Sequence, residues 1–262
     1  MGNHTLDAGA NGMTTLAFLG EFGDAIQFIF QGETSREGTQ IGGSQFLELT
    51  WEHVKLSGLS MVIACLLSIP IGLWLGHIRR FSFIAISASN VGRAVPSLAL
   101  IAFFVAYLGV GFANLTLALV LLAIPPILTN SYVGVTQVNP ETVDASRGMG
   151  MTEIEIVRKV ELPLALPLIF GGIKTSAVNV IATATIAPLA GVSTLGDPII
   201  NVSGYGDTGR LAAAIVVASL AVLTELLLSA AQRAATPRGI KLESNASRPR
   251  RLPTRIGRAA ST

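Results

Sequence analysis

Residues 141–163, ETVDASRGMGMTEIEIVRKVELP, carry eight charged side chains: Glu141, Asp144, Arg147, Glu153, Glu155, Arg158, Lys159 and Glu161. The whole chain of 262 residues has only 18 basic and 16 acidic residues, so this window is dense in charge. There is no GxxxxGK[ST] loop to cradle a phosphate anywhere in the chain, and the window has no His or Cys. The chemistry it can do is recognition by shape and charge. Asn139 and Pro140 suit the cap and first position of a helix, which Gly148 and Gly150 end. Thr152, with Glu155 three residues on, predicts a capping box and a second helix. Glu155 and Lys159 form an i,i+4 pair in the favourable order, and Ile156, Val157 and Val160 share a side. Pro163 ends the regular part and Pro167 reinforces the stop. Such a segment either packs on its own protein as an amphipathic loop or presents a helix to a groove on a partner.

Other candidate chemistry is sparse. His4, His53 and His77 lack ligand spacing, predict no metal site and read as surface or interfacial residues. Cys65 is the single cysteine, so no internal disulfide forms. A quaternary ammonium ion is held by aromatic faces, but Tyr107, Tyr132 and Tyr205 are scattered. Trp51 and Trp74 fall near opposite membrane edges and read as interfacial anchors. Arg93, Pro96, Ser97, Asn130 and Asn179 are the candidates for lining a path through the molecule, with bonding to neighbouring helices as the alternative. Nothing points to nucleic acid.

The elements that must position these residues are membrane helices. The chain is 50% hydrophobic and 13% charged, about half the charge of a soluble domain. Charge-free runs at 56–76, 94–140, 175–196 and 211–224 are rich in Leu, Ile, Val, Ala, Gly and Ser. A span needs about 20 apolar residues. The expected fold is all-α, a polytopic bundle of about five spans at roughly 54–77, 83–108, 114–135, 165–190 and 210–231. Residues 1–52 hold seven acids and one base, whereas residues 233–262 hold eight bases and one acid. Arg79 and Arg80 follow the first span. Basic residues near span ends stay in the cytoplasm, so the N-terminus is expected outside, with the 141–163 window and the C-terminus inside. The expected organisation is an extracytoplasmic segment at 1–50, a membrane domain at 51–232 and a basic tail at 233–262 that stays disordered; its charge reads first as retention in the cytoplasm, with contact to anionic membrane lipid as the alternative. Residues 16–30 predict an interfacial helix, since a span would bury Glu21 and Asp24. A helix break is expected at Pro96.

Asp144, Ala145 and Ser146, then Gly150, then Val160, Leu162 and Pro163 resemble the "EAA" signature of ABC importer membrane subunits. The spacing is kept throughout, with Asp for Glu, Ser for the second Ala and Val for Ile. The resemblance runs from about Trp51 to Gln232. GMGMTEIEIVRKVELPLALPLIFGGIKT and ATATIAPLAGVSTLGDPI are similar to the branch that imports glycine betaine, carnitine and choline.

That resemblance implies a type I, binding-protein-dependent permease in the plasma (inner) membrane, without a catalytic residue of its own. It implies two copies or two related subunits forming the pore, a cytoplasmic ABC ATPase carrying ATP and Mg beneath each, and an extracytoplasmic substrate-binding protein. It assigns coupling to the motif positions Asp144, Ala145, Ser146, Gly150, Val160, Leu162 and Pro163, with Glu153, Glu155, Arg158 and Lys159 as rim contacts. A permease for another solute, such as methionine or taurine, is one rival. An ion-coupled carrier is another, but Glu225 is the only acid inside an expected span. A membrane enzyme would need a cluster of His, Asp, Glu or Cys within the spans.

Overall fold

The computed structural model describes residues 20–34, 40–79, 83, 87 and 95–236. Helix α1 covers 20–31. A two-residue antiparallel ribbon pairs Glu33 with Ile41 and Thr34 with Gln40. Then come α2 (Ser44–His77), α3 (Ser97–Leu108), α4 (Phe112–Thr136), α5 (Pro140–Gly148) and α6 (Glu153–Ile156). A π-turn at Val157–Glu161 carries α6 without interruption into α7, Leu162–Thr183, which tightens into a 3-10 turn at Ala184–Ala190. Helices α8, Gly196–Ile200, and α9, Val202–Ala235, complete the fold.

Four helical stretches are long and apolar enough to cross a membrane: Ser44–His77, Phe112–Thr136, Glu153–Ala190 and Val202–Ala235. They fall where the first, third, fourth and fifth spans were expected. Of the expected second span, 83–108, residues 83, 87 and 95–108 are described, and the 12 residues of α3 begin directly after the extended Pro96, where the break was expected. Arg93 lies outside the described residues, as do 1–19 and the tail from 237. The boundary expected between 50 and 51 falls inside α2, which begins at Ser44.

Prolines 163 and 167 do not end the segment as expected. The helix passes through both, with Pro163 in the first turn of α7. Pro163 lies directly after the π-turn, so its missing N–H falls where the regular i→i−4 ladder is already broken.

Small residues set the core. Gly72 and Gly76, one turn apart on α2, lie against α4; a Cβ on Gly72 would sit 2.5 Å from Ser131 Cβ, and one on Gly76 2.7 Å from Val135 Cβ. In a membrane, close backbone approach of this kind replaces the hydrophobic drive that water supplies elsewhere. Leu56, Ile101, Leu119, Ile127 and Val180 join α2, α3, α4 and α7 in one apolar cluster. Ser176 donates across to the Ala123 carbonyl at 2.8 Å. His53 also departs from its expected surface position. It is fully buried and its Nε2 donates to the Ile181 carbonyl at 3.1 Å, because it falls on the inner face of α2 one turn before Leu56 and Ser57.

The bundle has two distinct ends. At one, α1 buries Ala25 and Phe28 against Phe46, Leu49, Leu195, Ala212 and Ala213, with Phe28 edge-on to Phe46 at 5.7 Å. Ile26 and Phe30 of α1 stay exposed. The other end gathers the close of α2, the α5–α6 segment and the close of α9. There Lys174 of α7 donates to Gln232 Oε1 of α9 at 2.8 Å.

Candidate functional site

The charged segment forms a compact foot at that second end. Asn139 caps α5 by accepting from the Glu141 N–H at 2.9 Å. Gly150 takes φ +84° with open space around it. That is left-handed backbone, which a Cβ would strain, and it turns α5 into α6. Thr152 and Glu155 form the predicted capping box. Thr152 Oγ1 accepts from the Glu155 N–H, and the Thr152 N–H donates to Glu155 Oε2 at 3.1 Å. Lys159 donates to Glu155 Oε1 at 2.8 Å. Lys159 and then the Thr152 N–H hold the Glu155 carboxyl well down, to about 2. These charged turns precede the apolar part of the helix, which begins at Leu162. The foot has a core of its own, with Val138, Val143 and Ile156 buried and Met151 packed on them.

Arg147 fastens the two short helices together. Its Nε and Nη2 donate to the two carboxylate oxygens of Glu153 at 3.0 and 3.1 Å, and its Nη1 donates to Asp144 Oδ1 at 3.1 Å. This fork-on-carboxylate geometry holds the Glu153 carboxyl below its ordinary range, with a further push from His77. The Glu153 carboxylate, expected at the rim, pairs with Arg147 and His77 while its side chain stays 50% exposed. His77 is no surface residue. Its side chain is 5% exposed, with Nδ1 2.8 Å from Glu161 Oε2 and Nε2 2.9 Å from Glu153 Oε2. Arg79, at φ +49°, donates to the Val138 carbonyl at 2.9 Å and ties the end of α2 to the start of the foot.

The motif positions fall on both sides of this foot. Asp144, Ala145 and Gly150 are exposed, whereas Ser146 is buried and donates to the Thr142 carbonyl at 2.8 Å. Val160, Leu162 and Pro163 are half-buried. Leu162 packs on the cluster of Leu73, Val135, Ala165 and Ile169 that roots the foot in α2, α4 and α7. Two apolar side chains of the foot, Met149 and Ile154, are 71% and 63% exposed, and the Met149 N–H donates to the Ala145 carbonyl. Sequence reasoning passed over them. Their signal was apolar residues out of phase with the buried Val143 and Ile156. It also passed over His77, Arg79 and Glu161 as site residues, because their partners come from distant positions in the chain, and over Arg147, whose partners Glu153 and Asp144 lie only six and three positions away.

The path candidates are dispersed. Asn130 donates to its own helix at the Pro126 carbonyl, 2.8 Å away, and lies against Gly172. Asn179 is exposed on α7, about 10 Å further along at 1.5 Å per residue. Ser97 and Pro96 open α3. Among the described residues, no group of three or more His, Cys, Asp or Glu could hold a metal ion.

Comparison with known proteins adds relatives to this geometry. The family described as "Binding-protein-dependent transport system inner membrane component" matches residues 68–240. The choline transport system permease protein OpuBB of Bacillus subtilis (strain 168) is 36% identical, covering 77% of this chain and 94% of that one. The carnitine transport permease protein OpuCB of Listeria monocytogenes is also 36% identical, over 77% and 93%. The osmoprotectant import permease protein OsmW of Salmonella typhimurium is 31% identical, over 74% and 93%. Among solved structures, an inward-facing conformation of the MetNI methionine ABC transporter has a chain that superposes with a TM-score of 0.64 at 23% identity, covering 73% of this chain and 96% of that one, a likeness of fold.

Proposed function

The chain belongs to the family of binding-protein-dependent transport system inner membrane components, and on that footing we propose that it is the pore-forming permease of an ATP-driven importer of osmoprotectants such as choline, glycine betaine and carnitine. It is a multi-pass membrane protein of the ABC importer permease family. The observation that carries the functional reading is the foot: a capped, internally packed helix pair with an exposed apolar tip, rooted in three long helices. ATP and Mg belong to a partner ATPase, which receives the tip of α5 in a groove and drives it when its nucleotide sites close. Ala145, Met149 and Ile154 fill that groove, and Asp144 and Arg158 lie at its edge. Asp144, Ser146, Gly150, Val160, Leu162 and Pro163 give the foot its shape and its root. A second permease subunit completes the pore, and a substrate-binding protein delivers solute to the α1 end.

The distribution of charge supports this orientation. In the sequence Arg79 and Arg80 follow α2, and Arg233 in the last turn of α9 leads into the basic tail; basic residues stay on the cytoplasmic side. Substrate choice rests with the binding protein, a reading supported by the scatter of Tyr107, Tyr132 and Tyr205 along the sequence. Relatives named for choline, carnitine and osmoprotectant transport support the substrate class.

The test is uptake of labelled choline, glycine betaine and carnitine by cells expressing the importer, together with co-purification of its ATPase. Gly150→Asp puts a strained side chain at the bend, and Ala145→Trp blunts the tip. Both variants are expected to insert at wild-type levels and lose at least nine-tenths of uptake, with Ala145→Trp also losing the ATPase. Wild-type uptake in both removes the coupling role.

A further inference from the structure

We propose that His77 is the positioning residue that seats the foot on the membrane bundle, clasping Glu161 with one ring nitrogen and Glu153 with the other. The proposal rests on the coupling role of residues 140–163 and adds the part that hands the foot's motion to α2. Three elements meet at this ring: α2, the π-turn that carries Glu161, and the first residue of α6.

Both contacts, at 2.8 and 2.9 Å, run from a ring nitrogen to a carboxylate oxygen. An ionised carboxylate only accepts hydrogen bonds. For both contacts to be hydrogen bonds, the three groups together must hold one proton more than a neutral ring and two carboxylates. The ring then donates on both sides, or one carboxyl donates to it. Charge-assisted bonds of this kind are the strong ones, and Glu161, at 1% exposure, cannot leave its partner for water.

The post of the clasp is fixed. His77 directly follows Gly76, where α2 lies in backbone contact with α4, and the Trp74 ring stacks near it at 5.8 Å. The far side is built to bear load. Arg147 grips the same Glu153 carboxylate and reaches Asp144 on α5. An unbroken polar chain therefore runs from the exposed face of α5 through Asp144, Arg147, Glu153 and His77 to the membrane helix. The π-turn explains how Glu161 comes to face α2. One extra residue in the turn rotates the rest of the helix by about 100° relative to a regular helix of 3.6 residues per turn. The two holds also differ. Glu161 is closed off, whereas the Glu153 side chain is 50% exposed, so Glu153 is the side that can let go when the foot moves. Among the described residues, the charged groups Arg79, Asp144, Arg147 and Glu161 line one cavity of about 300 Å³ with His77. α4 contributes no charged side chain there.

A packing role and a clasping role predict opposite results for two substitutions. His77→Phe keeps a ring against Trp74 and removes both donors. His77→Arg loses the ring and restores two donors. The importer is reconstituted in proteoliposomes with its ATPase and binding protein. Uptake per ATP hydrolysed is measured with whichever of choline, glycine betaine and carnitine the wild type takes up. Under the proposal His77→Phe lowers that ratio at least fivefold while the ATPase still co-purifies, and His77→Arg stays within twofold of wild type. If His77→Phe holds the ratio and His77→Arg loses it, the residue merely packs and the proposal falls. If both hold it, the clasp is dispensable and the proposal also falls. If both lose it, the double variant Glu153→Gln/Glu161→Gln decides. A fivefold loss of its own supports the clasp, and a wild-type ratio overturns it. Gly150→Asp is assayed alongside. Should it couple normally, the reading of the foot itself fails; should it fail to couple while His77→Phe couples, only the clasp is lost.

Discussion

Gly76 illustrates how single atoms hold the foot's anchor. A Cβ there would meet Val135 Cβ at 2.7 Å and the Tyr132 carbonyl at 2.9 Å, so any larger residue pushes α2 off α4. Overpacking of this kind costs about 1–3 kcal/mol, and the displacement falls one residue before His77. Gly76→Val is expected to lower the melting temperature of the detergent-solubilised protein and to uncouple hydrolysis from uptake. Gly58, with nothing within 4 Å of a Cβ, is the control at which Gly→Ala leaves both unchanged. At this scale the sequence was legible where partners are close in the chain. Asn139 with Glu141, Thr152 with Glu155, and Glu155 with Lys159 all pair as their spacing requires. His77 and Glu161 are 84 positions apart. No local pattern announces such a pair, and each residue alone reads as an ordinary charge at a helix end.

The two short helices of the foot depend on their caps more than on length, since helices this short have little stability of their own. The capping box also sets a pH dependence. Glu155 titrates at about 2 in the folded foot against about 4.3 in an unfolded chain. Its folded value is the lower one, so its contribution is complete above about pH 4.3 and is lost as pH falls towards 2. Hydrogen-exchange protection at 153–156, corrected for intrinsic rates, should hold from pH 7 to pH 5 and decline below pH 4. In Glu155→Gln it should be lower throughout and flat over that range. Protection in the wild type that is already pH-independent below pH 4 would show that the cap does not hold the helix. The element that resisted sequence reading is the join of α6 to α7. Pro163 and Pro167 look like stops, yet the helix runs through both, with the π-turn at Val157–Glu161 just before Pro163.

For the whole molecule, the arrangement of ends is what the transport reading needs. The foot, Arg79 and the last turn of α9 share one end, and α1 and α8 share the other, separated by helices such as α2 that span about 50 Å at 1.5 Å per residue. Single thiols introduced into a Cys65→Ala background test this by labelling with a membrane-impermeant maleimide. The Arg158→Cys thiol should react only from the cytoplasmic side and the Ile26→Cys thiol from outside. Reaction of the Arg158→Cys variant from outside would overturn the orientation. The amino-acid sequence by itself determined the class of molecule, the long apolar helices, the polarity of its charge and the capped foot. Each of these comes from composition or from spacings of a few residues, which hydrophobic period and capping chemistry make readable. Only the tertiary structure decided that α1 docks through Phe28 on Phe46, that His53 and His77 are buried, and that Glu153 pairs with His77. Those outcomes depend on which helix faces meet, and close packing around Gly72 and Gly76 settles that only once the whole bundle is assembled.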